Sequence, residues 1–302
     1  MALYSITHVT RYTYEEAVPV CHNVAHLLPR ASPGHEWRFA SVEINPIPAV
    51  RAEREDYFGN RQIFFAIQEP HLQLEVTARG QVRVHPRAGL ATSSTAWEEV
   101  RDLCATRGAE LLDEMQFTFA SPYVQWTEAV AAYGRESFSP GRPLVEAVLE
   151  LTSRIHRDFA YDTKSTTVST TLPEVMKARS GVCQDFAHLQ IGCLRAMGLA
   201  ARYISGYLLT TPPPEKPRLV GADASHAWVS VWIPGVGWLD VDPTNNLVPS
   251  DKHISIAFGR DFGDVSPLRG VVLGGGRHVI EVSVDVAPVE EQCRESRQLP
   301  NF

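Results

Sequence analysis

Residues 171–242 hold the arrangement that most limits the fold: two helices in succession, the second strongly apolar, then strands with no helix between them. Thr171-Leu172-Pro173-Glu174 combines a capping box with proline in the first turn, which starts a short helix that Gly181 ends. A second helix begins at Cys183, runs to Met197 and closes at Gly198. Strands are predicted over 201–210, 226–233 and 238–242. Pro212-Pro213-Pro214-Glu215-Lys216-Pro217 separates the first two and is too proline-dense to pair in a sheet. A helix followed by adjacent antiparallel strands is α+β and not the alternating pattern of a parallel sheet.

Upstream, Tyr4-Ser5-Ile6-Thr7-His8-Val9-Thr10-Arg11-Tyr12-Thr13-Tyr14 and His71-Leu72-Gln73-Leu74-Glu75-Val76-Thr77-Ala78 are read as placing apolar or aromatic residues at every second position, the mark of half-buried strands. Phe58-Gly59-Asn60 reads as a hairpin turn feeding another strand. Residues 1–86 are therefore expected to form an all-β domain. Helical spacing begins near Trp97, and 87–140 reads as a helical connector interrupted by Pro122, Gly134, Pro140 and Gly141. Residues 141–302 are expected to form the core. A helix runs over 144–156, and a last strand over 278–286 follows Gly274-Gly275-Gly276.

A net charge of −7 with no block of Lys or Arg argues against a nucleic-acid partner, which needs a concentrated basic face. No run approaches the roughly 20 apolar residues of a membrane span, and the N-terminus lacks the charge and apolar stretch of a signal peptide. A cytoplasmic location without membrane association is the expectation. Five scattered cysteines, an odd number, form no disulfide framework and are expected to be thiols. Nothing in the sequence fixes an oligomeric state.

Among those thiols Cys183 is distinguished by position. In Ser180-Gly181-Val182-Cys183-Gln184-Asp185-Phe186 a glycine turn runs into a helix, whose unpaired amides and dipole stabilise an anion, and the thiolate is the nucleophilic form. Cys193, inside the run Leu189-Gln190-Ile191-Gly192-Cys193-Leu194, reads as core. Downstream, Ser225-His226-Ala227-Trp228 supplies a base, and Trp238-Leu239-Asp240-Val241-Asp242-Pro243 a carboxylate to orient it. Asp240 and Asp242 share a strand face, so alternation does not choose between them; Asp242 has the advantage of ending the strand before proline. Cys183, His188, His226 and Asp242 are conceivable metal ligands, but no C-x-x-C or H-x-x-x-H spacing supports a metal site.

Together, Gly181-Val182-Cys183-Gln184-Asp185-Phe186-Ala187, Ser225-His226-Ala227-Trp228-Val229 and Gly237-Trp238-Leu239-Asp240-Val241-Asp242-Pro243-Thr244 resemble the core of the transglutaminase-like superfamily. The resemblance implies a papain-like α+β core, its Cys-bearing helix packed on an antiparallel sheet, with Cys183 as nucleophile, His226 as base and Asp242 as orienting carboxylate. Thr7-His8-Val9-Thr10-Arg11-Tyr12-Thr13-Tyr14 with Leu27-Leu28-Pro29-Arg30 resembles the β-rich domain that precedes this core in bacteria, and Gly259-Arg260-Asp261-Phe262-Gly263-Asp264-Val265 its C-terminal segment. The implied chemistry is an acyl-thioenzyme on a peptide or protein substrate, with neither metal nor cofactor. Hydrolysis of a peptide or isopeptide bond is the expected outcome, with protein-glutamine transamidation as the enzymatic alternative and a non-catalytic protein-binding module as the alternative of another class. The Cys183 amide is the expected oxyanion donor; Gln184, Tyr161 and Trp228 are candidates for the second donor or the cleft wall.

Overall fold

The computed structural model describes residues 2–85, 93–106, 110–210 and 224–289; the predicted proline-rich loop, the break at 87–90 and Cys293 lie outside them. The chain opens with strands β1 (Ala2–Val18), β2 (Val20–Ala25), β3 (His35–Asn45), β4 (Val50–Glu55), β5 (Arg61–Ile67) and β6 (His71–Val84). Helices α1 (Trp97–Thr106), α2 (Leu112–Met115), α3 (Glu128–Arg135) and α4 (Leu144–Asp158) follow. The short strands β7 (Ala160–Tyr161) and β8 (Ser180–Gly181) flank α5 (Leu172–Ala178), and α6 (Cys183–Ala196) comes directly after. The rest is β9 (Ala201–Leu208), β10 (Ala224–Ile233), β11 (Gly237–Val241), β12 (His253–Gly259), α7 (Phe262–Val265), β13 (Leu268–Leu273) and β14 (His278–Pro288). No described helix is long and apolar enough to cross a membrane.

Two four-stranded antiparallel sheets, ordered β14-β1-β6-β3 and β13-β2-β5-β4, form the N-terminal sandwich. Val18, Ile63, Phe65, Ile67, Leu74 and Val76 fill its interior. The alternation read at Tyr4–Tyr14 pairs with β6 and β14, as a half-buried central strand should. Two expected boundaries differ from what is observed. The C-terminal strands do not extend the core: β13 pairs with β2 and β14 with β1, because the sandwich's first strands would otherwise be open edges. Residues 87–140 are no mere connector either, since Val100, Cys104, Phe117, Val124, Val130 and Tyr133 are buried in the same core as α6.

The core is built on a third antiparallel sheet, ordered β11-β10-β9-β12, with α6 packed on β9 and β10. From Asp185 to Arg195 every residue of α6 is buried. Apolar side chains such as Leu189, Ile191 and Leu194 each contribute about 1.5–3 kcal/mol on burial. Two of the polar ones are anchored: Arg195 donates to the carbonyls of Phe117, Ala201 and Arg260 and to Ser121 Oγ, and Gln190 Nε2 donates to Thr152. At Gly134 an added Cβ would lie 2.8 Å from Cβ of Cys193, so glycine lets α3 approach α6 closely.

Strand β12 was not expected from the sequence. It pairs with β9 and leaves an edge that the N-terminal sandwich covers. The Arg30 amide donates to the Ile256 carbonyl at 3.0 Å, and the buried side chain of Asn60 exchanges bonds with both backbone groups of Phe258 at 2.8 and 3.0 Å. A backbone edge satisfied this way is closed to further pairing.

Candidate active site

The chain enters α6 through a fixed turn. Strand β8 pairs in parallel with β7, so Tyr161 lies beside Gly181. The Val182 amide donates to Asp185 Oδ2 at 2.9 Å, half of a capping box with Asp185 at the third helical position, and Thr166 donates to the same oxygen at 2.6 Å. A Cβ on Gly181 would lie 2.8 Å from that oxygen, which is why the turn needs glycine. Cys183 is the first residue of the helix, with its amide among the groups that have no partner within the helix. It is half-buried, whereas Cys21, Cys104 and Cys193 are buried. Cys193 lies in the core as expected, its thiol pushed up to about 12 by burial.

Cys183 acts electrostatically on the ring of His226 on β10. The other side of that ring meets Asp242, with Nε2 2.8 Å from Oδ2. Nε2 is thus engaged by the carboxylate, which leaves Nδ1 as the nitrogen for the thiol. His226 is 9% exposed and Asp242 fully buried. Burial by itself would lower the imidazole, but the hydrogen bond to Asp242 and the influence of Cys183 outweigh it and hold His226 at about 10. Burial would raise Asp242, but its hydrogen bonds to His226 and His253 hold it well below the ordinary carboxylate range.

Strand register decides between the two aspartates. Val229 pairs with Val241 and Ser230 with Asp240, so the next step sets Asp242 across from Trp228, two residues from His226. Asp240 faces a position four residues from His226, about 13 Å along a strand. The turn after β11 then fixes the carboxylate: Oδ1 accepts the amides of Thr244 (2.9 Å) and Asn245 (3.2 Å), and Asn245 Nδ2 donates to Oδ2 at 2.7 Å.

Two residues around Asp242 were not singled out from the sequence. One is Asn245. The other is His253, whose Nε2 lies 3.1 Å from Asp242 Oδ2, so two imidazoles share one oxygen. The available signal was local: like His226, His253 stands at the head of a run rich in β-branched residues. Both faces of that run are largely buried, which hides the alternation that marks a strand.

The remaining candidates divide. Tyr161 is 55% exposed at the rim, its phenol pushed up by burial and the Cys183 charge. Gln184 turns its amide to the Val168 carbonyl at 3.3 Å instead of towards the thiol. Trp228 is fully buried behind the site, its ring 6.0 Å from that of His226 and 5.2 Å from that of His253. It therefore backs the histidines and does not line an open cleft. His188 is buried between Tyr123 and Tyr203, accepts the Phe262 amide at 3.1 Å, and is lowered to about 3 by burial, so it belongs to the scaffold.

His226, Asp242 and His253 bring their ligand-type atoms within 4.8 Å of one another. Both ring nitrogens converge on Asp242 Oδ2, so the carboxylate oxygen occupies the point a shared cation would need. The arrangement suits proton traffic between a thiol, an imidazole and a buried carboxylate.

Residues 4–83 match the bacterial transglutaminase-like N-terminal region, and residues 131–243 match the transglutaminase-like superfamily. An uncharacterized protein of Mycobacterium tuberculosis is 44% identical over 296 residues, covering 95% of this chain and 93% of its own length. A protein-glutamine gamma-glutamyltransferase of Pseudomonas aeruginosa is 35% identical over 124 residues, 40% of this chain and 18% of that protein. The fold is shared with a Cytophaga hutchinsonii protein provisionally named a cysteine protease, at TM-score 0.75 and 21% identity over 96% of this chain and 92% of that one. With its helix-borne cysteine, its antiparallel core and its N-terminal β domain, the chain belongs to the transglutaminase-like superfamily.

Proposed function

We propose that the protein is a thiol-dependent amide hydrolase that cleaves a peptide or isopeptide bond through an acyl-thioenzyme. The observation that carries the reading is the line from Cys183 at a helix start, through His226, to the buried Asp242 at 2.8 Å. Cys183 gives its proton to His226 Nδ1 and its sulfur bonds to the carbonyl carbon, the oxyanion facing the Cys183 amide. Collapse of that adduct breaks the C–N bond as His226 returns the proton to the departing amine. His226 then takes a proton from water, whose oxygen attacks the thioester; a carboxylic acid leaves and Sγ regains its proton.

Water is the acceptor favoured by the surroundings, because Cys183 is half-buried beside an exposed Tyr161, and transfer to an amine requires water to be excluded. The Cytophaga hutchinsonii neighbour's name fits hydrolysis; the Pseudomonas aeruginosa relative's name fits transfer, which uses the same acyl-thioenzyme with an amine in the second half. We place the activity in the cytoplasm, where the free cysteines stay reduced, with subcellular fractionation as the test.

The deciding experiment screens peptide and isopeptide libraries with the Cys183→Ala protein as trap. Hits are then incubated with wild-type protein with and without an added amine, and products are weighed. A free carboxylate in both samples supports hydrolysis, and amine incorporation reassigns the activity to transamidation. Turnover by Cys183→Ala would refute thiol catalysis altogether.

A further inference from the structure

We propose that His253 is a positioning residue that moderates the hold of Asp242 on His226, so that His226 remains able to release its proton. The inference rests on the thiol-hydrolase reading above. Two imidazole Nε2 atoms approach the same carboxylate oxygen, His226 at 2.8 Å and His253 at 3.1 Å. A carboxylate that already accepts a second ring N–H is a weaker acceptor for the first, because part of its charge is spent. The imidazolium of His226 is then held less tightly. An acid that must protonate a leaving amine works best when it is not over-stabilised.

The structure holds His253 in place from several sides. It is 4% exposed, heads β12, and packs edge to face against the buried Trp228. His35 of the N-terminal sandwich donates from Nε2 to the His253 carbonyl at 3.1 Å, so the sandwich fixes the backbone that carries the ring. The far side of the ring faces a cavity of about 20 Å³, room for about one water, which Trp228, Asp240, Ser250 and His85 help to line. Of these lining residues, His253 at Nδ1 and Trp228 at Nε1 have no hydrogen-bond partner among the described residues. One water in that cavity would accept from Trp228 and donate to Nδ1, which requires the proton of His253 to be on Nε2, the nitrogen that faces Asp242. The ionisable groups around the pair are Cys183, Asp242, Asp240, His35 and His85.

The test blocks Cys183 with iodoacetamide, which removes the coupled thiol, and follows the His226 ring by NMR across pH in the full-length protein. In His253→Phe, which keeps bulk and loses the donor, the midpoint for His226 is expected to rise by about one pH unit. His253→Gln, which restores a donor, is expected to coincide with wild type. Coincident wild-type and Phe titrations, or a Gln variant that follows Phe, would overturn the proposal, because a residue with a merely structural role leaves the midpoint in place. Should His253→Phe fail to fold, the nitrogen spectrum of the wild-type protein decides: a His253 proton on Nε2, lost from its protected position in Asp242→Asn, supports the proposal, and protonation at Nδ1 only overturns it. Failure of iodoacetamide to select Cys183 in wild type would instead refute the thiol-enzyme reading.

Discussion

Replacing Asp242 by Asn tests the site at the group with most bonds and least volume change. The carboxylate accepts five donors: the amides of Thr244 and Asn245 at Oδ1, and His226, His253 and Asn245 Nδ2 at Oδ2. An amide offers one acceptor oxygen. With that oxygen at the Oδ1 position the new NH2 meets three donors, one of them His226; turned over, it meets two backbone amides. The first arrangement costs least in the backbone and forces His226 to carry its proton on Nδ1, where it can no longer accept one from Cys183. Catalysis then loses a charge-assisted hydrogen bond of about 1.5–3 kcal/mol, together with attraction to the imidazolium of up to about 4 kcal/mol at an effective dielectric near 20. Allowing for overlap between the two, a loss of about 4–6 kcal/mol is expected, or about 10³ to 10⁴ in kcat. The assay is kcat on the substrate that the trap identifies, with circular dichroism and Tm on the same samples. Asp240→Asn is expected to change kcat less than tenfold, since register sets it about 13 Å along the strand from His226. A folded Asp242→Asn protein within tenfold of wild type, or a larger loss at Asp240, would refute the assignment.

Three further outcomes are expected. Peptide mapping after brief iodoacetamide treatment at neutral pH should find Cys183 labelled ahead of Cys21, Cys104 and Cys193, which are buried in the folded protein; equal labelling would remove Cys183 as nucleophile. His226 is raised from an ordinary 6.5 to about 10, so what its charged form adds to stability is complete below about 6.5 and is lost as pH climbs through about 10. Turnover should fall over the same upper range as the acid for the leaving amine disappears, and a pH-rate profile with no alkaline fall up to pH 11 would contradict this. Gly134→Ala should lower stability by about 1–3 kcal/mol, read by denaturant titration, because its Cβ would lie 2.8 Å from Cβ of Cys193; an unchanged midpoint would mean that α3 shifts at no cost.

Much of this site was legible in the order of residues along the chain. The turn at Gly181 and the apolar run after Cys183 require a helix with a cysteine at its start, and local backbone preference is enough to place them. Alternation in Tyr4–Tyr14 announces a strand because one face meets a core and the other does not. Where both faces are buried that contrast disappears, which is why β12, and His253 with it, escaped notice. The choice of Asp242 over Asp240 depends on how β10 and β11 align, since two residues on one strand face have the same periodicity. Tertiary structure likewise sent Gln184 to the Val168 carbonyl, buried Trp228 behind the histidines, and returned β13 and β14 to the N-terminal sheets. Helix starts and strand alternation are fixed by neighbours within about four residues. The sharing of one carboxylate oxygen by His226 and His253 is fixed by three strands meeting in space, and no short-range pattern encodes that meeting.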